Sequence, residues 1–296
     1  MSSSLASVVK KNGLRSSFFL LSKRLLERTA GGLLRVANQL PTSRLSTEQK
    51  VIISKNELFK NKHAGQRAFV IGTGPSIQTQ DLKPLANEIT FSLSGFWKHP
   101  IVREWRPTYY CFSDPLLFDG SAPTCEFFKT INQHIPDSTF FVPLSSRESI
   151  ERNGLLPPDK TQYVAFRGDL SEKPVSDLDL TQFVPGVMNV AQLCIMAAIY
   201  MGLSPIYLMG LDHDWLSHRG ETRHFYAGHA GLEKHPEVKP VLGDWSYRFL
   251  MECQLVGWKA YENLRILAER KNIQIFNATN GGFLDVFERV DYRELI

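Results

Sequence analysis

Residues 69–76 read Phe-Val-Ile-Gly-Thr-Gly-Pro-Ser, an apolar run that breaks into a Gly-x-Gly-Pro-Ser turn. The run predicts a buried strand that ends in a tight loop and leads into a helix. Gly72 and Gly74 allow a sharp turn and the close approach of a ligand, Pro75 fixes φ, and the N–H groups of the next turn can face a phosphate. The stretch therefore predicts a nucleotide-binding edge of an α/β sheet, with an ordinary glycine turn as the alternative.

The same pattern, an apolar strand followed by a polar turn, recurs along the chain. It predicts an α/β protein with a Rossmann-like, mostly parallel sheet and helices on both faces. Residues 145–181 are rich in Pro, Asp and Ser, which predicts an irregular insertion or lid with a short strand at 163–166. The other predicted strands are 69–71, 89–93, 109–112, 139–143, 206–209 and 273–276, and the predicted helices or helical turns are 82–86, 125–135, 190–201 and 246–271.

The composition is that of a globular protein with a substantial core. A chain of 296 residues, 43% of them hydrophobic and 22% charged, can bury one large core or two smaller ones. The four cysteines share no disulfide or metal-ligand spacing, which predicts reduced core residues of an intracellular protein. No apolar run reaches 18 residues, so the sequence predicts no membrane-spanning helix.

Positive charge is concentrated at the start of the chain. Residues 1–62 contain twelve Lys or Arg against three Glu, which predicts a basic arm ahead of a Rossmann-like domain at 63–296. Leu14, Phe18 and Leu21 recur near helical spacing, the pattern of a basic amphipathic helix that can lie on an anionic membrane surface. This predicts a cytoplasmic protein peripheral to the cytoplasmic face of the membrane. A helix packed on its own domain and a loose tail remain alternatives, and no motif predicts a nucleic-acid partner.

Small, polar or acidic residues follow five of the predicted strands. Because ligands of parallel α/β sheets bind beyond the carboxyl ends of the strands, these segments predict one polar cleft. Such a cleft suits a phosphorylated or sugar-containing ligand. The segments are 72–76, 94–96, 113–115, 210–214 and 277–282.

Five of the eight histidines lie between residues 212 and 235. A metal site is one interpretation, but His224 and His229 are five residues apart, which does not match the pairing expected on one helical face. The second interpretation is that these histidines lie on an exposed polar loop. The third is a histidine that accepts a proton, because imidazole is the side chain whose ordinary pKa allows this near neutral pH.

The order of several short motifs along the chain resembles that of bacterial sialyltransferase-like enzymes. It also resembles the 6-hydroxymethylpterin diphosphokinase (MptE-like) domains and the motility-associated glycosylation factors. The resemblance covers about residues 66–290 and rests on ordered pieces that are each weakly specific. The pieces are Gly72–Ser76, Ser113–Pro115, Gly186–Asp212, Phe225–His229 and Asn277–Gly282.

The sialyltransferase-like resemblance implies an inverting glycosyltransferase with a CMP-activated acidic sugar as donor and no obligatory metal. The acceptor would be a cell-surface glycan or a lipid-linked acceptor. In this resemblance His229 takes the place of the general base, and we expect Tyr226 to contact the leaving group or acceptor and Asp212 to organise the cleft. The expected nucleotide and donor contacts are Gly72, Thr73, Gly74, Pro75, Ser76, Ser94, Asp114, Gly186, Gly210 and Asn280.

Two departures from the family pattern leave the donor open. Ser94 and Asp114 stand where family members carry asparagine, and Asp114 would repel an anionic donor unless it pairs with a base or a metal ion.

The MptE-like resemblance implies instead pyrophosphoryl transfer from ATP to a hydroxymethyl pterin, with Mg²⁺ held by Asp114 and Asp212. Turn formation is the alternative role of both aspartates. A noncatalytic nucleotide-binding or scaffold protein is the third hypothesis.

Overall fold

The computed structural model describes residues 44–218, 221, 223–226 and 246–296, and nine parallel strands lie within them. The folded unit that contains all nine runs from Ser46 to Ile296. The strands are β1 (Ala68–Ile71), β2 (Ile89–Leu93), β3 (Tyr109–Cys111), β4 (Thr139–Pro143), β5 (Thr161–Asp169), β6 (Phe183–Gly186), β7 (Ile206–Met209), β8 (Ile275–Asn277) and β9 (Glu288–Arg289).

The strands are arranged in the order β6-β5-β4-β3-β2-β1-β7-β8-β9. The chain therefore moves outward from β1 to β6, returns to the other side of β1, and moves outward again from β7 to β9. The direction of winding reverses between β1 and β7, and in open α/β sheets this is the place where a crevice forms at the carboxyl edge. The predicted Rossmann-like parallel fold is confirmed.

Helices cover both faces of the sheet because successive strand residues point to opposite sides. On one face, Tyr109 and Cys111 belong to the main hydrophobic core together with helix α4. On the other face, the ring of Phe112 makes edge contacts with Phe127 and Phe128 of α2. The helices are α1 (Thr47–Ser54), α2 (Ala122–His134), α3 (Arg147–Asn153), α4 (Val190–Tyr200) and α5 (Tyr247–Arg270).

Helix α4 is buried on all sides and connects β6 to β7. Every residue from Ala191 to Tyr200 is buried, which is the pattern of a core helix. Asn189 caps its first turn through the backbone N–H of Gln192, whose side chain bonds back to the cap. The Gln192 amide also donates to the carbonyl of Gly257 in α5 at 3.1 Å, which ties the two helices together. No helix of the described ranges is both long and apolar enough to cross a membrane.

Short 3₁₀ helices, rather than long α-helices, follow β1, β2, β3 and β7. They span Pro75–Thr79, Phe96–Lys98, Pro115–Phe118 and Trp215–Ser217. The helix expected directly after the glycine turn is thus a single 3₁₀ segment that begins at Pro75. The chain leaves each strand in a tight turn, so these loops stay close to the carboxyl edge of the sheet.

The irregular lid predicted at 145–181 is wrong. This segment contains α3 and the nine-residue strand β5, which pairs with β4 on one side and β6 on the other. Tyr163, Val164 and Ala165 are buried in the sheet. The Pro, Asp and Ser residues that suggested irregular structure lie mainly in the turns that flank β5, so the segment widens the sheet.

The folded unit begins earlier than residue 63, the predicted start of the Rossmann-like domain. Ile53 in α1 and Phe59 are buried. Asn56 is fully buried, and its amide nitrogen donates to the carbonyls of Tyr163 and Leu180, each at 2.8 Å. Residues 46–62 therefore pack on the sheet. The amphipathic helix predicted around residues 14–34 lies outside the described residues and stays a prediction.

Candidate functional site

The loops that follow β1 and β7 meet at the point where the winding reverses. The backbone N–H of Gly72 donates to the carbonyl of Met209, and that of Gly74 donates to the carbonyl of Gly210, both at 2.8 Å. A Cβ at position 72 would lie 2.5 Å from the Gly210 oxygen, a distance that real Cβ atoms essentially never show. The glycines are therefore required for the two loops to approach this closely, and three predicted site residues come together here.

Asp212 joins the two loops through its carboxylate. One carboxylate oxygen accepts the backbone N–H of Ser76 at 3.1 Å, and the other accepts the Ser76 hydroxyl at 2.7 Å. Burial raises the pKa of Asp212, and the two bonds from Ser76 only partly oppose this rise. A Cβ at position 74 would lie 1.8 Å from the carboxylate. The geometry fits an organising role for Asp212, and both of its oxygens are already engaged.

Residues 223–226, which we call the strap, are hydrogen-bonded to the glycine loop. The backbone N–H of Phe225 donates to the carbonyl of Thr73, and the Gln78 amide donates to the carbonyl of Phe225, both at 2.9 Å. The ring nitrogen Nδ1 of His224 lies 2.9 Å from the Thr73 hydroxyl. The strap is thus held by main-chain and side-chain bonds against the predicted nucleotide loop.

Tyr226, at the end of the strap, lies on the loop that follows β2. A Cβ at position 95 would lie 2.4 Å from the Tyr226 ring, so the ring rests on the bare backbone of Gly95, next to the predicted contact Ser94. The His224 ring stacks on the Tyr226 ring at 5.0 Å, with 6° between their planes. The Lys98 ammonium lies 5.1 Å from the centre of the Tyr226 ring, which places a cation beside the strap.

An ion pair fastens the strap to the β7 loop. The guanidinium of Arg223 contacts both oxygens of Asp214, at 3.1 and 2.5 Å. Burial alone would raise the pKa of Asp214, but the bonds from Arg223 and the nearby His218 hold this pKa below its ordinary value. Asp214 is therefore charged near neutral pH and engaged with Arg223.

The loop that follows β8 completes this edge. A Cβ at position 282 would lie 2.6 Å from the backbone oxygen of Asp212, and the neighbouring N–H of Phe283 donates to that oxygen at 2.7 Å. The amide of Asn280 donates to the hydroxyl of Thr79 at 2.9 Å. This bond connects Asn280 to the segment that follows the glycine loop, and its contact with a ligand stays a prediction.

Three predicted site residues lie on other strands or outside the described residues. Gly186 lies on the edge strand β6, five strand spacings from β1, or about 24 Å across the sheet. Asp114 is exposed beyond the end of β3, two spacings from β1, or about 10 Å. His229, the predicted general base, lies outside the described residues.

The positions of Asp114 and Asp212 in the sheet disfavour one Mg²⁺ ion held by both. Asp114 and Asp212 follow strands that are three spacings apart, or about 14 Å. Two ligands of one Mg²⁺ ion lie within about 4 Å of each other, because each is about 2.1 Å from the metal. Both oxygens of Asp212 also accept bonds from Ser76. Among the described residues no group of three or more His, Cys, Asp or Glu is placed to hold a metal ion.

A hydrogen-bonded chain that sequence reasoning missed links the β7 loop to the start of α4. The Tyr261 hydroxyl donates to the side-chain oxygen of Asn189 at 3.0 Å. The Nε2 of His213 lies 2.9 Å from the Tyr261 oxygen. Because the Tyr261 proton is already used, Nε2 carries the proton of this second bond. Burial lowers the pKa of His213 to about 4. Its backbone is left-handed, with φ of 49°, a feature that no pattern in the sequence indicated.

No protein-family model and no curated protein matches the chain. Solved structures that are similar to it include a MAf glycosyltransferase from Magnetospirillum magneticum AMB-1, with a TM-score of 0.48 and 14% identity, over 92% of this chain and 43% of that one. They also include the sialyltransferase CstII from Campylobacter jejuni in complex with a substrate analogue, CMP-3FNeuAc. For CstII the TM-score is 0.44 and the identity 12%, over 76% of this chain and 86% of that one. The chain spans less than half the length of the Magnetospirillum protein.

The close packing of the two loops predicts that Gly74→Ala is strongly destabilising. The new methyl group would displace the Asp212 carboxylate from Ser76, and we expect the free energy of unfolding to fall by roughly 2–4 kcal/mol in urea titrations. Gly257→Ala is the matched control, because a Cβ there meets no atom within 4 Å. Within helix α5 this change should raise the free energy of unfolding by up to about 1 kcal/mol. Equal effects of the two changes would contradict the packing role of Gly74.

The half-buried His213 predicts a stability loss in mild acid. Its pKa is about 4 when folded and 6.5 when unfolded, so between these values the unfolded chain binds a proton that the folded chain does not. The free energy of unfolding should therefore fall, by at most about 3 kcal/mol, as the pH is lowered from 6.5 to 4. His213→Asn, in which asparagine also tolerates the left-handed backbone, should show a shallower slope in this window. Identical slopes for the two proteins would refute the assignment.

Proposed function

We propose that this protein is a glycosyltransferase that binds a nucleotide-activated sugar, a CMP-linked acidic sugar, at the carboxyl edge of the sheet beside the joined β1 and β7 loops. The observation that carries the proposal is the strap: an aromatic, histidine-bearing segment is hydrogen-bonded across the glycine loop at the winding reversal. Parallel α/β sheets bind nucleotides at this position, and the motif order along the chain resembles that of sialyltransferase-like enzymes.

A positively charged side chain beside the crevice can offset the negative charge of the donor. Lys98 lies at the end of the short helix after β2, next to the Tyr226 ring. An ammonium group in this position can offset the charge of a phosphate or of a sugar carboxylate as the nucleotide leaves. Tyr226 adds a hydroxyl at the same place. These groups favour an anionic donor that needs no metal ion to neutralise it.

The general base that we propose is His229, which follows Tyr226 by three residues. Three residues of extended chain span at most about 11 Å, so chain length alone allows this imidazole to reach the crevice. An acceptor hydroxyl is a poor nucleophile near pH 7. A positioned imidazole that removes its proton accelerates such a transfer by typically 10²–10⁴-fold.

The pterin pyrophosphokinase receives less support from the described residues. Its Mg²⁺ would have to be held by Asp114 and Asp212, whose strands end about 14 Å apart. A noncatalytic nucleotide-binding protein would keep the crevice and dispense with the base. Nucleotide preference distinguishes the pyrophosphokinase from the glycosyltransferase. Turnover of a sugar donor distinguishes the noncatalytic protein from the glycosyltransferase.

A thermal-shift panel of CMP, UDP, GDP and ATP, each with and without Mg²⁺, tests the nucleotide. A ligand that binds the folded state alone raises the apparent stability, by about 2.7 kcal/mol at one hundred times its Kd. We expect CMP to raise the melting temperature equally with and without Mg²⁺. Stabilisation by ATP only in the presence of Mg²⁺ would overturn the proposed donor and favour the pyrophosphokinase.

Replacing the proposed base separates catalysis from binding. His229→Ala should lower kcat by roughly 10²–10⁴-fold and leave CMP affinity nearly unchanged, because the imidazole acts on the acceptor and not on the nucleotide. His235→Ala, a second histidine of the same segment, is the matched control and should retain turnover. If the two variants turn over donor equally well, His229 is not the base.

A further inference from the structure

The loop that follows β2, residues 94–99, supports the aromatic half of the strap, and we call it the β2 loop. The Tyr226 ring rests on its backbone. The rings of Phe96 and His99 lie 6.3 and 5.2 Å from the ring of Phe225, at interplanar angles of 77° and 74°. Edge-to-face packing of this kind favours a defined distance between rings. The placement of both aromatic rings of the strap therefore depends on the conformation of the β2 loop.

The β2 loop begins in a conformation that its sequence disfavours. Ser94 has a φ of 48°, in the left-handed region that residues with a Cβ rarely adopt. A strained residue of this kind persists only where the surrounding structure holds it in place. Gly95, on which the Tyr226 ring rests, follows directly and is buried. The loop therefore needs a partner from another part of the sheet.

Tyr110, on the neighbouring strand β3, is that partner. Its hydroxyl accepts the backbone N–H of Trp97 at 3.0 Å. The proton of the hydroxyl is shared between the carbonyls of Ser94 and Leu93, at 2.8 and 3.1 Å. Burial raises the pKa of Tyr110 well above its ordinary value, so the hydroxyl keeps the proton that it donates. One side chain thus bonds the backbone on both sides of the left-handed turn.

Tyr110 acts on the site only through this loop. Its side chain is 0% exposed, and its ring packs against Phe112 and Phe140 at 5.1 and 6.3 Å, so it lies too deep to touch a ligand. The bonds that fasten the strap to Thr73 of the glycine loop do not involve Tyr110. Loss of the Tyr110 hydroxyl would therefore release the aromatic end of the strap and leave the glycine loop in place.

We infer that Tyr110 is a positioning residue of the proposed transferase: its hydroxyl fixes the β2 loop, and the β2 loop fixes the Tyr226 ring beside the donor. The inference rests on the proposed function, in which Tyr226 contacts the leaving group or the acceptor. A misplacement of about 1 Å at a reacting group can slow a reaction by about 10²-fold. The Tyr110 hydroxyl should therefore affect turnover more than it affects binding of the nucleotide.

Nuclear Overhauser contacts between the Tyr226 ring and the Gly95 α-protons, measured on the selectively labelled full chain without ligand, test the positioning step. Tyr110→Phe removes the hydroxyl and keeps the ring, so this contact should weaken severalfold. Tyr292→Phe is the matched control, because the buried Tyr292 hydroxyl also donates to a backbone carbonyl, that of Asp81 at 2.6 Å. Both changes should lower the melting temperature by a few degrees, and only Tyr110→Phe should weaken the contact.

Turnover of a CMP-linked donor provides the second measurement. Tyr110→Phe should lower kcat by roughly 10–100-fold and change the Kd of CMP by less than about twofold, whereas Tyr292→Phe should retain the wild-type kcat. Added to Tyr226→Phe, the Tyr110→Phe change should slow turnover little further, because both changes act through the Tyr226 hydroxyl. A change that merely destabilised the fold would not produce this non-additivity.

Gly95→Ala reaches the same ring without touching Tyr110. The backbone of Gly95, with φ of −89°, allows alanine, but the new methyl group would displace the Tyr226 ring. This variant should therefore also lower kcat and leave CMP binding nearly unchanged.

An unchanged contact between Tyr226 and Gly95 in Tyr110→Phe would overturn the inference. So would a kcat equal to that of Tyr292→Phe, or effects of Tyr110→Phe and Tyr226→Phe that multiply in the double variant. A wild-type protein that turns over no CMP-linked donor would instead contradict the proposed function. In that case the ring contact alone still decides whether Tyr110 positions Tyr226.

Discussion

The contact between Gly74, Asp212 and Ser76 is the constraint on which the rest of the site depends. It joins the loops after β1 and β7, which are adjacent strands in the sheet. Ser76 and Asp212 are 136 residues apart in the sequence. Only a residue without a Cβ fits at position 74, because the carboxylate occupies the space that a side chain would need. The two loops are therefore fixed against each other before any ligand binds, and the strap has a fixed surface to bind.

The strap turns this fixed edge into a place for chemistry. Through Phe225 and His224 it is bonded to the glycine loop, and through Arg223 it is paired with the β7 loop. Tyr226 extends it over Gly95. Three loops that belong to different strands are thus connected by four consecutive residues, directly ahead of the proposed base. A change in the strap is expected to affect nucleotide contact and proton transfer together.

Much of the fold could be predicted from the sequence because buried parallel strands are continuous apolar runs bounded by turns. The observed bounds of β2, β4 and β7 match the predicted ones. The short strand β6 was missed because it contains Pro185 and Gly186, which are unfavourable within a strand but tolerated at the edge of a sheet. The site was predicted only in part. The bonds from Ser76 to Asp212 and the left-handed backbone of His213 depend on tertiary contacts that local patterns do not record.

Amide hydrogen exchange of the full chain with and without CMP tests whether the nucleotide binds at the carboxyl edge, beside the joined β1 and β7 loops. We expect added protection at Thr73, Gly74 and Ser76 and in the strap, and unchanged exchange at the amino edge around residues 60–65 and 199–204. Protection confined to the amino edge, or absent from the glycine loop while CMP is bound, would contradict it.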